Sequence, residues 1–263
     1  MTVFSAAMLS SLSALSLWAV PARAQVTFAD SSNRFVRAAA TTDGETVFND
    51  AYLLSLFARP DRSIFGDFDK TVQGAGLAGS NALTAFADQR SDLPHILNGS
   101  EALPTRLEGS ASIAAVLNAD DPFQGFSLSS ALYYFTVEEE TWLRITWDLS
   151  ASSTFGPVGP EHYASLAIHM GDPRTEPALF SRVVGSGETD EGYSIMSFGP
   201  GLYALQATAL ANIANSGTAA EDFEYPSEIS RTAAYSVSFA VVPAPATLPF
   251  AAIGLVVARR RRR

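Results

Sequence analysis

Two groups of side chains in this 263-residue sequence are spaced so that they could do chemistry. Glu188, Asp190 and Glu191 crowd three carboxylates between Gly187 and Gly192. Oxygen-rich loops of this kind hold Ca²⁺, so weak calcium binding is the metal reading here, although the ligand spacing of a calcium loop is not met. Trp142 stands beside Arg144 and Asp148. An indole among hydrogen-bonding charges is how a sheet surface holds a sugar ring. The same indole covered by another part of the chain is the expected alternative, because large exposed apolar groups are uncommon.

Other acidic groups, Asp67 with Asp69, Asp120 with Asp121 and Glu138 to Glu140, fall near turns or strand ends. Two facing carboxylates at about 5 to 9 Å would allow glycoside hydrolysis. In an acidic chain, solvated charge is the expectation for most of them. Gly74, Gly76 and Gly79 meet the G-x-G-x-x-G spacing of a dinucleotide loop. The residues before them, Asp67 to Gln73, are too polar for the buried parallel strand that motif follows, so a glycine-rich turn is expected. His95, His162 and His169 are the only histidines. His162 and His169 are seven apart and would face opposite sides of a strand, so they share no metal. G-x-S-x-G, P-loop and H-E-x-x-H motifs are absent from the sequence.

These residues need a scaffold, and the second half of the chain spells one out. Leu143, Ile145, Trp147 and Leu149 alternate with Trp142, Arg144, Thr146 and Asp148, the period of a half-buried strand. The same alternation runs through Tyr133, Phe135 and Val137, through Leu166, Ile168 and Met170, and through Tyr203, Leu205 and Ala207. It returns at Tyr235, Val237, Phe239 and Val241. Turn-forming glycines and prolines separate these runs, as at Gly171-Asp172-Pro173 and Gly199-Pro200-Gly201. The expected fold is all-β, an antiparallel sandwich or jelly roll. In the first half, Phe35 to Ala39, Thr46 to Leu54 and Leu107 to Val116 are candidate strands, and Asn81 to Leu97 reads as either helix or strand. The domain expectation is one body over residues 25–240, with a division into 25–126 and 127–240 left open.

Both ends differ from this body. Residues 1–24 carry an apolar run ending in Ala22-Arg23-Ala24, the small-x-small pattern of a secretory cleavage site, which leaves Gln25 first in the processed chain. Export through the Sec machinery follows from that reading. At the other end Val242, Pro243, Ala244, Pro245 and Ala246 lead into a short apolar segment, Thr247 to Ala258, and then Arg259, Arg260, Arg261, Arg262 and Arg263. At about 1.5 Å per residue that segment reaches roughly 18 Å, short for a hydrocarbon core of about 30 Å. The arginines resist translocation and would hold the far end at the cytoplasmic face.

This order of motif, apolar segment and arginine cluster resembles the PEP-CTERM class of bacterial sorting signals, in its VPLPA or VPAPA variant. The resemblance implies a Gram-negative host and a transient inner-membrane stage through a short transmembrane sorting helix at residues 241–263. It further implies processing by an exosortase-type membrane protease and delivery to the cell surface or the extracellular polysaccharide matrix. Phe135-Thr136-Val137 and Gly201-Leu202-Tyr203-Ala204-Leu205 loosely resemble strands in the bodies of such proteins, which generally lack assigned activities.

Composition narrows the partners. Removing Arg23 and the five terminal arginines leaves 11 basic against 27 acidic residues, a net −16. A field of that sign opposes nucleic acid and anionic surfaces. The chain has no cysteine, which excludes thiolate catalysis and disulfide support. The expectation is a non-enzymatic surface or matrix protein without a cofactor, contributing to an exopolysaccharide or biofilm layer. A carbohydrate-binding module is the first alternative, and a glycan-active hydrolase or lyase the second.

Overall fold

The computed structural model describes residues 25–55, 65–94, 96–98, 105–117, 121–154, 162–215 and 228–242. Strands follow one another through them: β1 (Gln25–Phe28), β2 (Asn33–Thr42), β3 (Glu45–Leu54), β4 (Gly66–Ala78), β5 (Asn81–Leu93), β6 (Ile96–Asn98) and β7 (Thr105–Val116). The second half supplies β8 (Phe123–Val137), β9 (Thr141–Ser153), β10 (Tyr163–Met170), β11 (Ala178–Val184), β12 (Glu188–Phe198), β13 (Gly201–Asn215) and β14 (Glu228–Val242). The signal-like residues 1–24, His95, Asp120, Pro243 to Ala246, the apolar segment and the arginine cluster lie outside the described residues. Among the described residues no helix is long and apolar enough to cross a membrane.

The strands form an antiparallel sandwich of two sheets. One has eight strands, with the path β11-β10-β13-β8-β1-β6, and β2 and β3 extend it from a second stretch of β8. The other has six, in the order β12-β9-β14-β7-β5-β4. The last eight strands are nested: β10 pairs with β11, β9 with β12, β8 with β13 and β7 with β14. Successive nested pairs fall in alternate sheets, which is the wiring of a jelly roll. The open division at residues 126 and 127 falls inside β8, and β8 pairs with β2 from the first half and β13 from the second.

The alternation read from the sequence marks the inward face. Leu143, Ile145, Trp147 and Leu149 are buried, as are Tyr203, Leu205, Ala207, Tyr235, Val237 and Phe239. Met170 departs from it: it ends β10 beyond a bulge at Ile168/His169 and lies exposed. One open reading is settled and one expectation is corrected. Asn81 to Leu97 is no helix; it is β5 followed by the start of β6, and small inward side chains had hidden its period. The glycine-rich turn expected at Gly74 to Gly79 is mostly strand. Gly74 and Gly76 lie within β4, where Phe48 and Val47 of β3 occupy the space a Cβ would need. Only Gly79, at φ +59°, makes the turn into β5.

Side-chain volume falls along the buried face of β8 until its first residue. Phe135 and Tyr133 give way to Ala131, then Ser129, Ser127 and Gly125, and buried Phe123 closes the end. At the wide end Phe28, Tyr133, Phe135, Phe198, Tyr203 and Phe239 form a chain of ring contacts with centroids 5.0–6.2 Å apart. At the thin end the Ser127 hydroxyl donates to the Phe86 carbonyl of the facing sheet. A Cβ on Gly125 would come within 2.6 Å of Ile113 Cδ1.

Two buried arginines cross between the sheets in opposite directions. Arg34 of β2 donates from Nη1 to the Gly66 carbonyl at 2.9 Å and to Ser91 Oγ at 3.2 Å, with its guanidinium 5.0 Å from the Phe68 ring centroid. Arg231 of β14 donates from Nη1 to the Asn212 carbonyl of β13 at 2.6 Å. Burial lowers the pKa of both. A buried charge persists only where partners replace its lost hydration, and these carbonyl, hydroxyl and aromatic groups do so.

Burial pushes the Tyr133 phenol up to about 12, against the lesser pull of Arg34. It also raises the Tyr235 phenol well above its ordinary value. Raised phenol values mean that the unfolded chain ionises first. The stability present below pH 10 is therefore lost as pH climbs toward 12 and beyond, by up to about 1.4 kcal/mol per pH unit for each tyrosine. Denaturant titrations across that range should show this decline, and Tyr133→Phe should lessen its slope.

Candidate functional site

The outward face of the six-stranded sheet is largely polar, because Ser, Thr and charged groups hold most of the alternate positions of its strands. Register makes rows of them. Gln73, Phe86, Ser112, Thr232 and Ser152 stand opposite one another across β4, β5, β7, β14 and β9. Ser152 and Thr232 hydroxyls lie 2.7 Å apart within that row. Around Phe86 the surface sinks into a hollow of about 540 Å³, lined also by Thr84, Ala114 and Ser230. Phe86 is the one large apolar side chain of the hollow's outward lining and is 38% exposed.

Beneath that hollow lies the thin end of the interior. The hydrogen bond from Ser127 to the Phe86 carbonyl pins β5 to the opposite sheet from below. Alternation then sends the Phe86 ring outward while Ala85 and Ala87 point inward and are buried. A half-exposed ring flanked by an amide and three or more hydroxyls is suited to stacking on a sugar face and bonding its hydroxyl groups. Sequence reading passed over Phe86, since a lone aromatic in an Ala-rich stretch carries no motif. Its strand period, once β5 is recognised, is the signal that finds it.

A second row carries charge. Asp69, Arg90, Glu108, Ser236, Asp148 and Glu191 face one another in register across all six strands. Asp69 pairs with Arg90 at 3.5 Å, Arg106 pairs with Glu108, and the Ser236 hydroxyl donates to Glu108 Oε1 at 3.4 Å. At the far end Asp148 and Glu191 stand directly opposite, two exposed carboxylates side by side.

The residues singled out in the sequence are thus redistributed. Trp142, Arg144 and Asp148 do share the outward face of β9, as their alternation required. Trp142 is half-buried at its end, opposite Ser197 and Val242, the first residue of the tail motif and the last of β14. Arg144 lies over the Tyr193 ring, its guanidinium carbon 5.0 Å from the centroid. Glu188, Asp190 and Glu191 do not converge, because they lie in strand β12 rather than a loop and Glu191 faces outward, opposite to the other two. Glu188 Oε2 accepts from the Gly185 amide at 2.7 Å and Asp190 pairs with Arg182 at 3.6 Å. Among the described residues no group of three or more His, Asp and Glu side chains is placed to hold a metal. Asp121 accepts from the Ser80 amide at 2.8 Å and ties the β4–β5 turn.

The described histidines stay apart. His169 lies on the outward side of β10 with Nδ1 2.9 Å from the Glu176 carbonyl. His162 precedes the strand, and burial, then the nearby Arg231, hold its imidazole below the ordinary value.

No family model matches the chain, and no curated protein matches it. Among solved structures it is similar to the infectious bursal disease virus VP2 subviral particle at 13% identity, covering 90% of this chain and 72% of that one, with a TM-score of 0.19. The structure of the Gt strain of the same virus gives 14% identity, 91% and 73% coverage and a TM-score of 0.20. Scores this low carry no argument about what the chain does.

The facing carboxylates yield one expectation. Like charges directly opposite on a sheet oppose pairing, so Glu191→Gln should stabilise the fold modestly at low salt. The gain should shrink as salt screens the pair, as thermal melts at two ionic strengths would show.

Proposed function

We propose that this chain is an exported surface or matrix protein that adheres to polysaccharide through the outward face of its six-stranded sheet. The observation that supports it most is the Phe86 hollow: a half-exposed ring set among Gln73, Thr84, Ser112, Ser230 and Thr232 on a strand-built surface. The likeness of the tail to exosortase-processed sorting signals supports the destination, at the surface or in an exopolysaccharide layer. The role in this reading is binding rather than bond cleavage, since the facing carboxylates Asp148 and Glu191 sit exposed on a strand pair at the sheet edge. At a net −16 after removal of both ends, neutral glycans are favoured over anionic ones.

Affinity electrophoresis through gels containing neutral polysaccharides tests the adhesive surface. Retardation is expected in at least one such gel, with Phe86→Ala weakening it about 2- to 10-fold, the roughly 0.5–1.5 kcal/mol of a stacked ring. Equal mobility of the wild type in all gels would remove the reading. Intact-mass measurement of surface-released protein tests the destination: the expected species begins at Gln25 and lacks Arg259 to Arg263. Recovery of the outer fraction with both ends attached would count against processing.

A further inference from the structure

The jelly-roll wiring leaves β12 at the edge of the six-stranded sheet, paired with β9 alone among the described strands. Of the devices with which proteins usually protect an edge, this one carries only charge, confined to its first four residues, with Glu188 and Asp190 on the inward face. It runs eleven residues in unbroken register with β9, without a bulge, and contains neither proline nor lysine. Its second half, Tyr193 to Phe198, is an uncharged and β-prone segment. On its outward face Tyr193 is 63% and Ile195 45% exposed.

Charge along the strand is lopsided. Glu188, Asp190 and Glu191 occupy its first four positions and no charge follows. Parallel, in-register pairing with an identical strand would stack these carboxylates. Antiparallel pairing about a two-fold axis at Tyr193 does the reverse, and it is also the register in which every residue from 188 to 198 finds a partner. Glu191 then faces Ile195 of the second copy, and Glu188 faces its Phe198. Arg144 is the register partner of Ile195 on β9, so each Glu191 meets a row whose next member beyond Ile195 is the other copy's Arg144. The acidic pair Asp148 and Glu191 on one copy is thereby set toward a cation on the other.

From this complementarity we infer that the partner of the β12 edge is a second copy of this chain, joined antiparallel about Tyr193 so that two six-stranded sheets become continuous. The interface is isologous, as a two-fold requires. It rests on main-chain hydrogen bonds and a narrow strip of side chains, so the dimer is concentration-dependent.

The absence of cysteine provides the test. In the inferred pairing the two Cα atoms at position 193 lie about 4.5 to 5.5 Å apart, within the disulfide range of about 4.4 to 6.8 Å. The two at position 189 are eight residues apart along the strand, about 27 Å. Under mild oxidation, Tyr193→Cys should give a covalent dimer and Thr189→Cys should not. In sedimentation of the cysteine-free protein, Ile195→Asp, which places a carboxylate opposite Glu191, should weaken the dimer about tenfold. Combining it with Glu191→Lys should restore the dimer, while circular dichroism shows each variant folded. A wild type that stays monomeric at every concentration, or equal cross-linking at positions 193 and 189, would overturn the inference.

Discussion

The two sheets meet over an interior that is thin at one end, and the rest of the structure accommodates that constraint. Alanine, serine and glycine on the inner faces of β5, β7, β8, β13 and β14 let the sheets approach until the Ser127 hydroxyl meets the Phe86 carbonyl across the gap. Close packing at such a place leaves no room for an added methyl group, as Gly125 against Ile113 and Gly109 against Tyr235 illustrate. Large rings gather at the opposite end, where the spacing admits them. The buried arginines serve the same closure, since each stitches its own sheet to the backbone of the other. Their cost in desolvation is offset only because carbonyls and rings are already in position.

The outer faces differ in kind. That of the six-stranded sheet is largely hydroxylated and charged, with a hollow around Phe86 and with Trp142, Tyr193 and Ile195 near the β12 edge. That of the eight-stranded sheet carries half-buried Phe35, Phe126, Leu128, Leu132 and Tyr134, with Arg37 set 4.9 Å from the Phe126 ring centroid and donating to Asn49 Oδ1 at 3.0 Å. Among the described residues, acidic charge is spread along several strands rather than gathered into a metal-holding group. Carboxylates that sequence had placed close together are separated by strand alternation, and Asp148 and Glu191, distant in sequence, are brought opposite each other by register.

Nested pairing has a further consequence for the edges. Each successive pair wraps outside the last, so β11 and β12, joined by the turn at Gly185 and Gly187, end on the same side of the sandwich. Leu179 and Val183 of β11 are exposed there along with Tyr193 and Ile195 of β12. The opposite edge is managed differently: β3 lays Phe48 and Val47 across Gly74 and Gly76 of β4. Among the described residues, one side of the sandwich is covered by its own chain, and the other is exposed.

What the sequence determined by itself was the all-β class and which face turns inward in the strands with a strong apolar period. Period-two alternation is a local property, and Leu143 to Leu149 or Tyr235 to Phe239 display it without reference to anything else. Where inward residues were alanine and serine, as in β5, or where an edge strand was polar and glycine-rich, as in β4, the contrast between faces vanished and the elements could not be told apart. Tertiary structure alone decided the rest. Which residues share a row depends on register between strands far apart in the chain, so the Phe86 hollow, the Asp69 to Glu191 row and the inward turn of Arg34 and Arg231 have no local signature. A side chain's chemistry can be read from its type, but its neighbours are set by pairing, and pairing is a property of the whole sheet.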